Sequence, residues 1–255
     1  MFCYIARAVR RLVLVIVLIV TGACRKPVEA RLAEGDRAAM AGRWEEARDK
    51  WEAARALSPD ASLVHARLGA ALWHLGKVDD AVAAWREAVR LEPGCEDARE
   101  GLARAALAAR DAGAALDALS TITEPSSPTF EQVKVRALLA RGGEGDAQAA
   151  FELASRLGDD AESRYLVGSA QLALKRVADA QTTFETLARV HPSSPLGTYG
   201  LARTAAAQNR QPEVLSNLAT SKSLSGTAWR ADEVAADPAF SFLAAAPEFK
   251  ALVGR

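Results

Sequence analysis

The residues of this 255-residue chain with most chemical capability are few: three histidines, His65, His74 and His191, and three cysteines, Cys3, Cys24 and Cys95. Two histidines one helical turn apart can share a metal ion on a common face. His65 and His74 instead fall half a turn out of phase on one expected helix, and His191 stands directly before a helix-ending proline. No metal site is therefore expected. Gly142-Gly143-Glu144-Gly145 has the glycine content of a phosphate loop, but it falls where two helical stretches must be joined by a turn. The sequence holds no nucleophile elbow, no phosphate-loop spacing and no paired-cysteine spacing. It thus calls for no cofactor, implies no small-molecule substrate, and offers no convergent set of titratable groups for catalysis.

Composition points to helices. Half of the residues are apolar but only 6% are aromatic, so alanine and leucine, both strong helix formers, carry the apolar content. The 32 basic residues are balanced by 32 acidic ones. A general nucleic-acid binder needs a basic excess to displace counterions from phosphates, so nucleic acid is not an expected partner.

The N-terminus differs from the rest. Arg7, Arg10 and Arg11 precede an unbroken apolar run from Leu12 to Val20, which has the form of a secretory signal. The run is well short of the ~20 apolar residues that a spanning helix needs. Val20-Thr21-Gly22-Ala23-Cys24 resembles the bacterial lipobox, in which small residues precede a cysteine that is lipidated and becomes residue one. The resemblance implies that residues 1–23 are a signal peptide and that Cys24 carries acyl chains holding the protein to a membrane. Arg25 follows Cys24 where an aspartate would retain a lipoprotein in the inner membrane, which implies an outer-membrane lipoprotein facing the periplasm. The alternative is an uncleaved signal anchor in the inner membrane. Cleavage would leave Cys95 as the one thiol outside the lipid anchor, so no internal disulfide is expected and packing alone must hold the fold.

A shift of 34 positions brings Gly35 onto Gly69, Gly42 onto Gly76, Ala47 onto Ala81, Trp51 onto Trp85, Ala54 onto Ala88, Leu57 onto Leu91 and Pro59 onto Pro93. Each type has a mechanical reason. A glycine within the first helix allows close approach of its partner, and one at its end takes the left-handed turn. The small alanines let the second helix press close, the tryptophans fill the space between hairpins, and the prolines stop the second helix. This period and residue set resemble the tetratricopeptide repeat (TPR). The fold implied is all-α, a helical-hairpin solenoid of five to six repeats over residues 28–228, with looser repeats after the second. Residues 229–255, with Asp237-Pro238-Ala239-Phe240 and Pro247-Glu248-Phe249, read as short capping helices, Asp237 being the N-cap of the first.

In TPR proteins the first helix of each repeat lines the binding face. That mapping places Ala66, Trp73 and His74 there from the second repeat and Arg104 from the third. Gln132 and Arg136 follow from the fourth, Tyr165 and Leu172 from the fifth, and Tyr199 and Arg203 from the sixth. Rigid aromatics and arginines are the types enriched where proteins bind one another. The resemblance therefore implies a scaffold whose groove holds a peptide or helix of a partner protein, with arginines meeting acidic groups. The competing expectation is that these arginines simply pair with neighbouring acids of the same chain. The lysine and asparagine clamp used by TPR proteins that hold chaperone C-termini is missing at these positions. Similar lipoproteins serve assembly of membrane or cell-wall complexes; the signal-anchor alternative corresponds to a regulatory subunit of a membrane enzyme complex.

Overall fold

A computed structural model describes residues 27–254. The expected signal peptide 1–23 and the expected lipidation site Cys24 lie outside the described residues. No strand occurs among the described residues, and no helix there is long and apolar enough to cross a membrane.

The helices come as antiparallel pairs. They are α1 (27–40) with α2 (Trp44–Leu57) and α3 (Ser62–His74) with α4 (Val78–Leu91), followed by α5 (Glu96–Ala108) and α6 (Ala112–Leu119). After a Pro/Ser-rich loop come α7 (Pro128–Arg141) with α8 (Asp146–Ala154), α9 (Ala161–Ala173) with α10 (Val177–Val190), and α11 (Pro195–Ala207) with α12 (Gln211–Ser225). The chain closes with α13 (Ala231–Ala236), a 3-10 segment (Pro238–Leu243) and α14 (Pro247–Leu252). Two compact units result. The first runs to Ala109 and includes Asp117–Thr123; the second holds Arg110–Leu116 and everything from Glu124 onward.

Local chemistry sets the helix ends. Helices α2 and α4 open with acids (Glu45 and Glu46; Asp79 and Asp80) and finish with an arginine (Arg55; Arg90), so both ends complement the helix dipole. Ser127, Asp160 and Ser194 cap α7, α9 and α11 through their side chains, and prolines follow the two serines at the first helical position. The turn between the two helices of a repeat needs one left-handed residue. Glycine supplies it at Gly42 (φ +71°) and Gly76 (φ +74°), whereas Arg110 (φ 61°), Lys175 (φ 60°) and Asn209 (φ 56°) adopt it at the equivalent places in later repeats. Gly142 (φ 61°) and Gly145 (φ 79°) form the turn of the fourth repeat, so that glycine-rich stretch is a turn.

Packing follows from the large rings. Trp51 and Trp85 are buried, and each indole N–H donates to a carbonyl of its repeat's first helix: Trp51 to Leu32 at 3.3 Å and Trp85 to Ala66 at 3.2 Å. Gly35 and Gly69 are the floors beneath these rings. Phe184 takes the same role in the second unit, between Gly168 and Gly200. Ala47, Ala54, Ala81 and Ala88 are fully buried, which lets the second helices approach. The C-terminal segment lays Val234, Phe240, Leu243, Phe249 and Val253 against Ala202, Ala205, Val214 and Leu218. Lys222 Nζ (2.9 Å) and Trp229 Nε1 (3.3 Å) both donate to the Leu252 carbonyl and hold α14 in place.

One further device recurs. A side chain in the first turn of the first helix donates to a carbonyl of the preceding turn: His65 to Pro59 (2.6 Å), Arg99 to Pro93 (2.6 Å) and Arg164 to Asp159 (3.2 Å). His191 also donates to the Asp159 carbonyl, at 3.0 Å. Two of the three histidines are thus occupied as turn caps. Among the described residues no cluster of three or more His, Cys, Asp or Glu side chains could hold a metal ion.

Candidate functional site

In the first unit, Trp73 is half-buried with its ring 6.0 Å from that of Trp85, so it supports the core as much as the surface. His74 is exposed at the end of α3 and stacks flat on Trp44, with centroids 3.7 Å apart and planes 6° from parallel. Partial burial and the nearby Arg104 charge lower the His74 pKa, favouring the neutral imidazole. Arg104 itself pairs with Glu100 at 2.8 Å along its own helix.

The second unit brings its expected residues together. Tyr165 on α9 and Tyr199 on α11 have ring centroids 6.3 Å apart. Tyr165 leans on Phe184 (5.7 Å), and Tyr199 meets Phe240 edge to face at 5.8 Å and 83°. These rings form a continuous aromatic row from the core to the C-terminal cap. Arg203 threads behind it: Nη1 donates to the Tyr165 hydroxyl at 3.3 Å and to Ser169 Oγ at 3.5 Å. Its Nε stands 3.5 Å from Asp237, near enough for charge attraction but not aligned as a hydrogen bond. Tyr199 donates to the same carboxylate at 2.7 Å. Burial and the Asp237 charge raise the Tyr199 pKa far above the usual phenol value, so it remains a donor. Burial disfavours the Arg203 charge, but the Tyr165 oxygen and the Asp237 carboxylate outweigh it and raise that pKa. Arg136 is ion-paired to Glu162 on the neighbouring helix.

Two residues mapped to the face lie inside instead. Ala66 is 2% exposed and Gln132 is 9% exposed, with the Gln132 amide donating to Ser163 Oγ at 3.2 Å. Their register position points toward the first helix of the next repeat, where the larger side chains of Tyr165 and Tyr199 still reach the surface. In the sequence Asp237 is marked only as a helix cap, a role it does fill by accepting from Ala239 N–H at 2.9 Å. Its grip on Tyr199 and Arg203 was not visible, because nothing local links residues 38 apart. A cavity of about 320 Å³ opens beside Tyr165 and Tyr199, with Trp229 and Leu196 in its wall.

Tandem helical hairpins packed through small residues and inter-repeat rings define a helical repeat protein, a class built to present an extended surface rather than an enclosed site. The tetratricopeptide repeat profile matches residues 32–85, 71–128 and 168–213, more than half of the chain, and the chain belongs to that family. Solved structures similar to it include a thermophilic TPR protein from Thermus thermophilus at 21% identity and TM-score 0.56, covering 66% of this chain and 93% of that one. Another is PilF of Pseudomonas aeruginosa at 14% identity and TM-score 0.63, covering 79% and 93%. A third is YrrB, a TPR protein with an unusual peptide-binding site, at 14% identity and TM-score 0.51, covering 68% and 91%. At these identities the likeness is one of fold. No curated protein matches the chain. TPR proteins act as protein–protein interaction scaffolds, typically without catalysis.

Proposed function

We propose that this chain is an envelope-anchored TPR lipoprotein that holds a segment of a partner protein against the first-helix face of its second unit, and so organises assembly of a membrane or cell-wall complex. The observation that carries the binding half is the row of Tyr165, Tyr199 and Arg203. These side chains reach the surface while their positions are fixed by Phe184, Phe240 and Asp237, so little ordering entropy remains to be lost on binding. The peptide-binding site of YrrB, on the same fold, supports this reading. The lipobox-like run ending at Cys24 supports anchoring, and Arg25 supports the outer membrane, facing the periplasm.

Intact-mass measurement of the full chain purified from envelope membranes tests the anchoring half. A chain beginning at Cys24 and carrying acyl groups is expected, and Cys24→Ala should leave the precursor unprocessed. A wild-type mass that retains residues 1–23 would overturn it in favour of a signal anchor.

A further inference from the structure

Three successive first helices and the C-terminal cap line an open-sided cavity of about 330 Å³ in the second unit. Its walls are aliphatic: Leu139 from α7, Leu172 from α9, Ala206 from α11 and Ala239 from the 3-10 segment. Ser169 and Arg203 add the polar edge, and Arg203 is the one charged residue in the lining. We infer that this cavity selects the acidic residue of the partner segment, with an aliphatic neighbour of that residue filling the space between Leu139 and Leu172. The inference rests on the proposed partner-holding face and names what that face recognises.

The hydrogen-bond inventory of Arg203 carries the argument. A guanidinium has five N–H donors. In Arg203, Nη1 meets only two neutral hydroxyl oxygens at long range, 3.3 and 3.5 Å, and Nε has no hydrogen-bond partner. The nearby Asp237 does not saturate it. That carboxylate already accepts from Tyr199 at 2.7 Å and from Ala239 N–H at 2.9 Å, and its nearest approach to Arg203, 3.5 Å from Nε, is not a hydrogen bond. The Nη edge keeps donor capacity, and 29% of the side-chain surface still reaches solvent. Neutral hydroxyls are weak partners for a guanidinium; a carboxylate is a strong one and can engage two donors at once. Leucine and alanine walls lower the local dielectric and strengthen that pairing. The same walls offer a polar uncharged side chain nothing. Charge complementarity and shape therefore ask for an acid beside an aliphatic residue.

Fluorescein-labelled, C-terminally amidated Gly-Gly-Leu-Asp-Leu-Gly-Gly is the probe, titrated by anisotropy against the full chain in detergent micelles. Versions with Asn for Asp and with Ala for both Leu serve as comparisons. The inference expects the Leu-Asp-Leu peptide to bind, with affinity falling about tenfold or more on each change. Arg203→Gln should erase the preference for Asp over Asn. Because Arg203→Gln also touches the cap, Leu172→Asp is the second variant: it keeps the Arg203 charge but puts into the cavity an anion that competes for its Nη edge, and should abolish Leu-Asp-Leu binding. Equal binding of the Asp and Asn peptides overturns the charge selection while leaving the partner-holding face standing. Loss of neither by Leu172→Asp, or no binding of any peptide up to about 1 mM, overturns the cavity as the site. Crosslinking from Leu172 in cells judges the face itself independently.

Discussion

The indole of Trp85 occupies the space where a side chain on Gly101 would begin: a Cβ built there would stand 2.2 Å from Cε2. Gly69, equally far from Trp85 in the other direction along the chain, meets the opposite side of the ring at 2.4 Å. One aromatic ring therefore rivets the first helix of its own repeat to the first helix of the next. Phe184 repeats the arrangement between Gly168 and Gly200. Stacking of this kind lets each repeat bury a face it could not bury alone.

The rivet sets the first prediction. Trp85→Ala should cost about 3–5 kcal/mol, since it empties a buried site. Gly101→Ala should cost about 1–3 kcal/mol through overpacking. Gly94→Ala, with nothing within 4 Å of its Cβ, should be nearly silent. Urea titrations followed by far-ultraviolet circular dichroism check all three, and a silent Gly101→Ala would contradict the packing.

Left-handed turns set the second. An L-residue in that conformation is strained by about 1–2 kcal/mol, and glycine is not. Arg110 and Lys175 carry this strain where Gly42 and Gly76 do not. Arg110→Gly and Lys175→Gly should each raise the Tm modestly, with about 1 kcal/mol as the ceiling because glycine also loosens the unfolded chain. Asn209→Gly should gain less, since asparagine tolerates this region. Scanning calorimetry of the three variants decides it.

Tyr199 and Asp237 tie the C-terminal cap to α11 through a 2.7 Å bond. Tyr199→Phe keeps the ring against Phe240 but removes the shorter of the two hydrogen bonds that the Asp237 carboxylate accepts, at a cost of about 1–3 kcal/mol. Limited proteolysis should show faster cleavage after residue 228 in Tyr199→Phe, with the preceding repeats unaffected.

The His74 imidazole, by burial and the Arg104 charge, titrates below its ordinary value of 6.5. Its unfolded form binds a proton more readily, so this contribution to stability is intact above pH 6.5 and declines as pH falls through the lower folded value. Proton NMR should place His74 below 6.5, and Arg104→Ala should move it upward.

Much of the first unit was legible because its signals repeat. Trp51 and Trp85, with Gly35 and Gly69, recur in strict phase, and their roles could be read from spacing. Gly101 and Gly200 gave no such signal, since the matching place above Trp51 is Arg67, which ties Asp36 (3.2 Å) to Asp97 (2.9 Å) instead. The candidate face was legible by residue but not by bonding. Arg104 and Arg136 pair with Glu100 and Glu162 of the same chain, whereas Arg203 keeps free donor capacity because it meets Asp237 at 3.5 Å without a hydrogen bond while that carboxylate is shared with Tyr199. Such sharing is a tertiary fact, carried by residues far apart in sequence. The turn caps made by His65, Arg99 and Arg164 escaped notice for a different reason: three unlike residues do one job, so no identity marks the position.

Site-specific photocrosslinking in cells that naturally make the protein tests the interaction account most directly. Benzoylphenylalanine replaces Leu172, in the cavity beside Arg203, or Glu185, exposed on α10. The account expects a discrete adduct with one partner protein from Leu172 and none from Glu185. No adduct from Leu172, or the same adduct from both positions, would contradict it.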